Sequence, residues 1–403
     1  MHEELDPARE TRWQRILVVV GIVVLAVNLR PAAVSVGPVL DELSHGLHMS
    51  PIGAGLLTAL PVLSFATVGA LAPRLARSVG IHRLILLALV CVTAGLALRA
   101  QVHGGTLFLV LSFLGLSGMA AANVLLPSLV KAHFPDRIGL LTAVYSTALA
   151  IGLTGASVLT VPIATFHTHD VDWRRGIFVW AILAAAAAIP WLGLVRHDRA
   201  PADGGRPIRL AAVARTRLGW VMAVFFGLQS LQAYSVFGWA AQVYRDAGFS
   251  ATTAGLLLGV ITGMSIPLSY LIPSVAARMT HQSSIVVLLM ACYPIGYLGL
   301  ILAPHALAWL WAVVIGIGLC TFPLILTLIG LRARTPEGVA ALSGWTQSVG
   351  YLIAVVGPFG VGALYDATGG WTVPLLVLLA LCVPQFLVGM LAARPAYLED
   401  QLA

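Results

Sequence analysis

Long apolar runs alternate with short polar breaks along the whole chain, and most runs reach the ~20 residues a helix needs to cross a ~30 Å hydrocarbon layer. This pattern predicts twelve membrane-spanning helices, at 15–40, 52–76, 84–101, 106–130, 138–166, 173–195, 218–244, 252–277, 285–303, 307–331, 338–365 and 371–393. Ser50-Pro51 ahead of the second run is a helix-start signal. One polar break is sizeable: Arg196–Thr216 (RHDRAPADGGRPIRLAAVART) is rich in Arg, Gly and Pro and reads as a linker between two six-helix halves. The expected organisation is an all-α membrane protein with a tail at 1–14, a bundle at 15–195, the linker at 196–216, a second bundle at 217–394 and a tail at 395–403. The first run carries Arg30 and Pro31 and has no small-residue cleavage site after it, so it reads as a retained span rather than a signal peptide.

The halves repeat one another. Ala54-Gly55-Leu56-Leu57 recurs as Ala254-Gly255-Leu256-Leu257, and Pro73 is matched by Pro273 at the same spacing of 200. Lys131–Asp136 (KAHFPD) aligns with Arg332–Glu337 (RARTPE) at 201, and Trp173 with Trp371 at 198. Six spans per repeat is an even number, so both halves enter the bilayer with the same orientation. A parallel repeat of this kind predicts a site at the midplane between halves that rock about it.

Composition agrees with the pattern: 59% of the 403 residues are hydrophobic and 10% charged, against roughly 25% charged in soluble proteins. The net charge of +7 could suggest nucleic acid, but its distribution points to a membrane instead. With the N-terminus inside, the basic residues Arg9, Arg12, Arg15, Arg74, Arg77, Arg83, Lys131, Arg137, those from Arg196 to Arg217, Arg278, Arg332, Arg334 and Arg394 all fall on the inner side. Only Arg99, Arg174, Arg175 and Arg245 fall outside. That asymmetry predicts a multi-pass protein of the cytoplasmic membrane with both termini cytoplasmic and no nucleic-acid partner. Cys91, Cys292, Cys320 and Cys382 lie singly in apolar runs and read as small buried hydrophobes. No cofactor or metal is expected.

One residue breaks the pattern. Arg30, in Asn28–Leu40 (NLRPAAVSVGPVL), lies about 22 Å along a helix starting at Arg15, near mid-membrane. A central arginine costs about 3 kcal/mol on insertion scales, so such residues face a bundle interior or a wet cavity and mark a pathway. Pro31 removes the hydrogen bond to the Val27 carbonyl and crowds it, which is tolerated at depth only where protein or cavity water covers the freed group.

The stretches Asn28–Leu40, 54–80 (AGLLTALPVLSFATVGALAPRLARSVG) and 362–371 (GALYDATGGW) resemble the major facilitator superfamily and, within it, the cyanate and nitroimidazole transporter family (CynX/NimT-like). The resemblance implies two pseudo-symmetric six-helix bundles and alternating access. The superfamily's signature between spans two and three is met loosely by Gly69, Arg74, Arg77, Gly80 and Arg83, without its acid, which puts the usual charge latch of that loop in question.

Arg30 is the leading solute anchor, since a guanidinium fork suits carboxylate, cyanate or nitro groups; the alternative is that it bonds carbonyls freed by the kink. Asn28, about 200° from Arg30 on a helical wheel, is a further candidate, with interhelical hydrogen bonding as its alternative. Gln229, Gln232, Ser235 and Trp239 fall within roughly a 120° arc of span seven and are read as cavity lining rather than packing glue. In span eleven Ser343, Thr346, Gln347, Gly350 and Tyr351 share a face, and the repeat sets the first three against Thr142, Tyr145 and Ser146. Asn123, Tyr145, Trp345, Thr346, Gln347 and Tyr351 complete the candidate substrate-binding set. Arg74, Arg77, Arg83, Asp41 and Asp366 are candidate gating charges at the rims, with inner-leaflet anchoring as the alternative for the arginines.

No Asp, Glu, Lys or His stands at mid-span depth, so proton coupling by a buried carboxylate is disfavoured. The expected function is a secondary transporter, acting as a monomer, for a small anionic or polarised planar solute, with a proton or counter-anion as coupling partner. Rival readings are a broad-range drug exporter of the same fold, which would want an acidic aromatic cavity, a membrane enzyme, for which no nucleophile-and-base pair stands at depth, and a receptor that binds without transporting.

Overall fold

A computed structural model describes residues 12–134, 137–166, 171–195 and 208–402. The tail at 1–11 and the linker core at 196–207 lie outside the described residues. Among the described residues the chain is helical without strands, and twelve helices are long and apolar enough to cross a membrane. They are Arg15–Gly46, Ile52–Ala76, Ile81–Arg99, Gly105–Val130, Leu140–Ala164, Trp173–Leu194, Arg217–Asp246, Ala251–Ala276, Ser283–Leu302, Ala308–Leu331, Glu337–Thr368 and Thr372–Ala392, numbered below as spans 1 to 12.

Side-chain caps fix several starts, and the repeat shows in them. Ser50 Oγ accepts the Gly53 amide at 3.2 Å and, two hundred residues on, Ser250 Oγ accepts the Thr253 amide at 3.2 Å. Thr216 and Thr335 cap spans 7 and 11 through the amides of Gly219 and Gly338, both at 3.0 Å. Asp172 caps span 6 through Arg174 and Arg175.

Several spans are broken, and prolines place the breaks. A proline frees the carbonyl four residues earlier. Pro267, Pro323 and Pro358 free Gly263, Leu319 and Ala354, which are the last residues of the first segments of spans 8, 10 and 11. Pro31 frees Val27, and the first segment of span 1 ends at Asn28. In span 2 the turn before Pro73 opens into a π-helical stretch, Phe65–Gly69. Proline alone is not sufficient, since Pro127, Pro162 and Pro294 sit inside unbroken helices.

The chain forms two compact units, Met1–Met49 with Thr67–Gly204 and Ser50–Ala66 with Gly205–Ala403. Residues 50–66, which the repeat assigned to the first half, therefore group with the second unit. Small residues set the closest crossings in each. In the first unit, Gly95 lies on the backbone of Gly115 and Leu111, and Gly118 on the carbonyl of Ala88, so spans 3 and 4 touch backbone to backbone. In the second unit, span 7 is the central helix, with 78% of its apolar window buried. It meets span 11 where Gly227 and Gly350 each face the other's backbone.

Candidate functional site

The first unit is built around the break in span 1. The helix Arg12–Asn28 stops, Arg30 turns at φ −97° and ψ −33°, and a four-residue helix, Pro31–Val34, follows. A 3-10 turn, Gly37–Val39, and the helix Leu40–Gly46 complete the span. The single kinked helix to Leu40 expected from sequence is thus four pieces reaching Gly46. The break survives in the membrane because neighbouring helices cover it. Gly152 of span 5 lies directly against the Val27 carbonyl, where any Cβ would overlap the oxygen. On the other side Arg99, the last residue of the span 3 helix, is wholly buried. Its Nη2 donates to the Ala32 carbonyl at 3.2 Å and to Ser35 Oγ at 3.5 Å, and its Nη1 to Ser112 Oγ at 3.4 Å. The guanidinium lies 5.7 Å from the Phe108 ring centroid, and no carboxylate among the described residues partners it.

Arg30 itself is half-buried at this break, and its carbonyl accepts from Ala33 and Val34. Asn28 does not open onto a cavity. It is 3% exposed and its Nδ2 donates to the Val24 carbonyl at 2.8 Å, so it closes the end of its own helix. Asn123 and Tyr145 are half-buried, and Tyr145 is hydrogen-bonded to Thr142 one turn before it.

In the second unit the glutamines of span 7 correct the sequence reading. Both are fully buried. Gln229 Nε2 donates at 3.0 Å to the Leu319 carbonyl, the group Pro323 frees, while its Oε1 accepts from Tyr293 Oη at 3.0 Å and Gln385 Nε2 at 2.8 Å. Gln232 Nε2 donates to the Leu378 carbonyl at 2.9 Å, and its Oε1 accepts from Tyr297 Oη at 2.6 Å. These side chains join span 7 to spans 9, 10 and 12 instead of lining open space. Trp239 is buried too and donates to the Pro358 carbonyl at 2.9 Å. Trp239 and Ser235 border a small apolar recess with Tyr297, Ile315, Trp371 and Leu378.

The polar face of span 11 divides. Tyr351 is buried and stacks on Phe65 at 4.7 Å between centroids, edge-on to Phe226 at 5.0 Å and Tyr234 at 6.5 Å. This aromatic cluster sits where span 2 enters its π-helical stretch. Gln347 is half-buried and donates to Ser343 Oγ at 2.8 Å. Thr346 is fully buried, which removes it from any open surface, and its Oγ1 has no partner among the described residues. Trp345 packs edge-on against Trp220 at 5.3 Å, near the starts of spans 11 and 7, away from mid-span depth.

With the break and the two units described, similarity to known proteins decides the family. The sequence profile of the Major Facilitator Superfamily matches residues 16–358. This chain belongs to that superfamily. It is 38% identical to an uncharacterized transporter, YycB, of Bacillus subtilis (strain 168), over 96% of this chain and 95% of that protein. It is 33% identical to the 2-nitroimidazole transporter of Escherichia coli (strain K12), over 94% of this chain and 96% of the relative. To the cyanate transport protein CynX of the same organism it is 28% identical, over 93% and 96%. The solved nucleoside transporter NupG shares the fold at a TM-score of 0.76 and 12% identity, covering 93% of this chain and 99% of that one. These relatives place it with the transporters of the CynX/NimT kind within that superfamily, as a multi-pass membrane protein and not an enzyme.

Arg74 and Arg83 are exposed, and the Arg77 side chain lies outside the described residues. Asp41 is 3.6 Å from His45 one turn on, and Asp366 is exposed. The organised carboxylate is Asp246, which accepts from Trp371 Nε1 at 2.7 Å, Gln242 Nε2 at 2.8 Å and Tyr365 Oη at 2.9 Å, joining the end of span 7 to spans 11 and 12. Sequence reasoning also missed a buried pair, His82 and His133, whose Nε2 atoms are 3.0 Å apart where span 3 begins and the helix of span 4 ends. Their separation of 51 residues gave no signal.

Proposed function

We propose that this chain is a secondary transporter of the cytoplasmic membrane that moves a small anionic or polarised planar solute, such as cyanate, a nitroimidazole or a small organic anion, by alternating access. Arg30 is its solute anchor. The observation that carries this reading is a half-buried arginine at a helix break inside a membrane span. A desolvated guanidinium binds carboxylate-like and nitro-like groups more strongly than water would allow. Asn123 and Tyr145, half-buried in the same unit, join Arg30 as solute contacts. Both termini are cytoplasmic, Arg74, Arg77, Arg83, Asp41 and Asp366 act at the gates, and the coupling partner is a proton carried with the solute or a counter-anion.

Uptake into proteoliposomes tests the reading. Labelled 2-nitroimidazole and cyanate should enter saturably and chemically unchanged, a permanent organic cation should not, and Arg30→Gln should raise KM about tenfold or more. Preferential uptake of the cation, or a KM indifferent to Arg30, would overturn it.

A further inference from the structure

We infer that Arg99 is a positioning residue for solute binding: it clamps the broken segment of span 1 and so fixes where Arg30 stands. The inference rests on the reading of Arg30 as the anchor. From sequence Arg99 looks like a rim charge at the end of an apolar run, yet its guanidinium is wholly buried, a costly place for a cation without a carboxylate. What it holds explains the cost. The Ala32 carbonyl and the Ser35 hydroxyl are the two ends of the short turn that starts immediately after Arg30, and Ser112 of span 4 and the Phe108 ring fix the guanidinium from the far side. A four-residue helix has almost no stability of its own, so its orientation is set by what binds it. Arg30 is the residue that caps this helix, and any rotation of Pro31–Val34 carries the Arg30 backbone with it. Charge-assisted bonds to carbonyl and hydroxyl oxygens from one rigid fork are suited to that task, and the point charge of a lysine is not.

The test uses the full chain and two readouts. In Arg99→Gln, backbone amides across residues 33–36 should exchange hydrogen about tenfold faster than in wild type while spans 5 and 6 keep their protection. In proteoliposomes with 2-nitroimidazole as probe, KM should rise about tenfold with kcat within about twofold, and the rise should vanish when Arg99→Gln is placed on Arg30→Gln. Should Arg99→Gln fold poorly, Arg99→Lys serves in its place, with the same pattern at smaller amplitude. Unchanged exchange at 33–36 would overturn the clamp. A KM effect that multiplies fully on the Arg30→Gln background, or a loss in kcat alone, would overturn the positioning role. If Arg30→Gln leaves KM unchanged, the anchor reading fails instead, and the exchange readout still decides whether Arg99 is a clamp.

Discussion

At the scale of single residues, the protein must cover polar backbone wherever prolines break its helices in a membrane. Gly152 covers the Val27 carbonyl by having no side chain, so Gly152→Ala should lower stability by about 1–3 kcal/mol through overpacking. Gly155, one turn on with nothing within 4 Å of an added Cβ, is the control, and Gly155→Ala should leave the unfolding temperature equal or slightly raised. Gln229 covers the Leu319 carbonyl by donating to it. Gln229→Leu would leave that carbonyl, Tyr293 Oη and Gln385 Nε2 without their partner, at roughly 1–3 kcal/mol for each buried group. The expected outcome is a large drop in melting temperature with solute KM unchanged in the protein that remains folded. A raised KM at normal stability would return Gln229 to the cavity.

The same residues show what sequence could and could not give. Arg30-Pro31 was legible because a charge and a helix breaker at mid-run violate two independent rules. The glutamine stripe was legible as a polar face, but its direction was not, since the tyrosines and the freed carbonyl that satisfy it come from helices 64 to 90 residues away. Arg99, counted only among the basic residues of the outer side, gave no signal of its burial for the same reason. At the end of an apolar run a rim position and a buried one look alike until span 1 is known to bend beneath it.

At the scale of elements, the C-terminal tail expected at 395–403 is fastened to the second unit through its described residues. Leu398 donates to the Arg332 carbonyl at 2.9 Å, and Gln401 Oε1 accepts the Leu218 amide at 3.0 Å. Glu399 accepts from the Arg334 and Thr335 amides, each at 3.0 Å, and from the Thr335 hydroxyl at 2.9 Å. Arg334 bonds Asp400 and lies over the Tyr397 ring at 4.1 Å. Partial burial pushes the Glu399 carboxyl up, and these donors more than offset it, so it lies below the ordinary carboxylate range. A carboxylate depressed in the folded state contributes stability that is present above its unfolded value and is lost as pH falls through the folded one. Wild type should therefore melt above Glu399→Gln at pH 7, and the two should converge as pH falls below the ordinary carboxylate range and through the depressed folded value. A gap that persists in acid would assign the difference to shape rather than charge.

At the scale of the whole molecule, hydrophobic runs of span length and a repeat near 200 residues were enough to give twelve helices and the superfamily, because both rest on length and periodicity, which need no contact information. The division of the chain was less legible. Residues 50–66 pack in the second unit, with Gly55 against the Phe359 backbone, Thr58 against Gly238 and Phe65 on Tyr351. Nothing in a linear repeat announces that part of one span belongs with the other half. The proposed function rests on the family and on one charge, and that charge can be tested apart from transport. Thermal unfolding of the purified protein with increasing 2-nitroimidazole or cyanate should show wild type stabilised as the logarithm of ligand concentration over its dissociation constant, about 2.7 kcal/mol at a hundredfold excess. The stabilisation should disappear in Arg30→Ala and be weakened in Arg30→Lys. Equal stabilisation of wild type and Arg30→Ala by the same solute would contradict it.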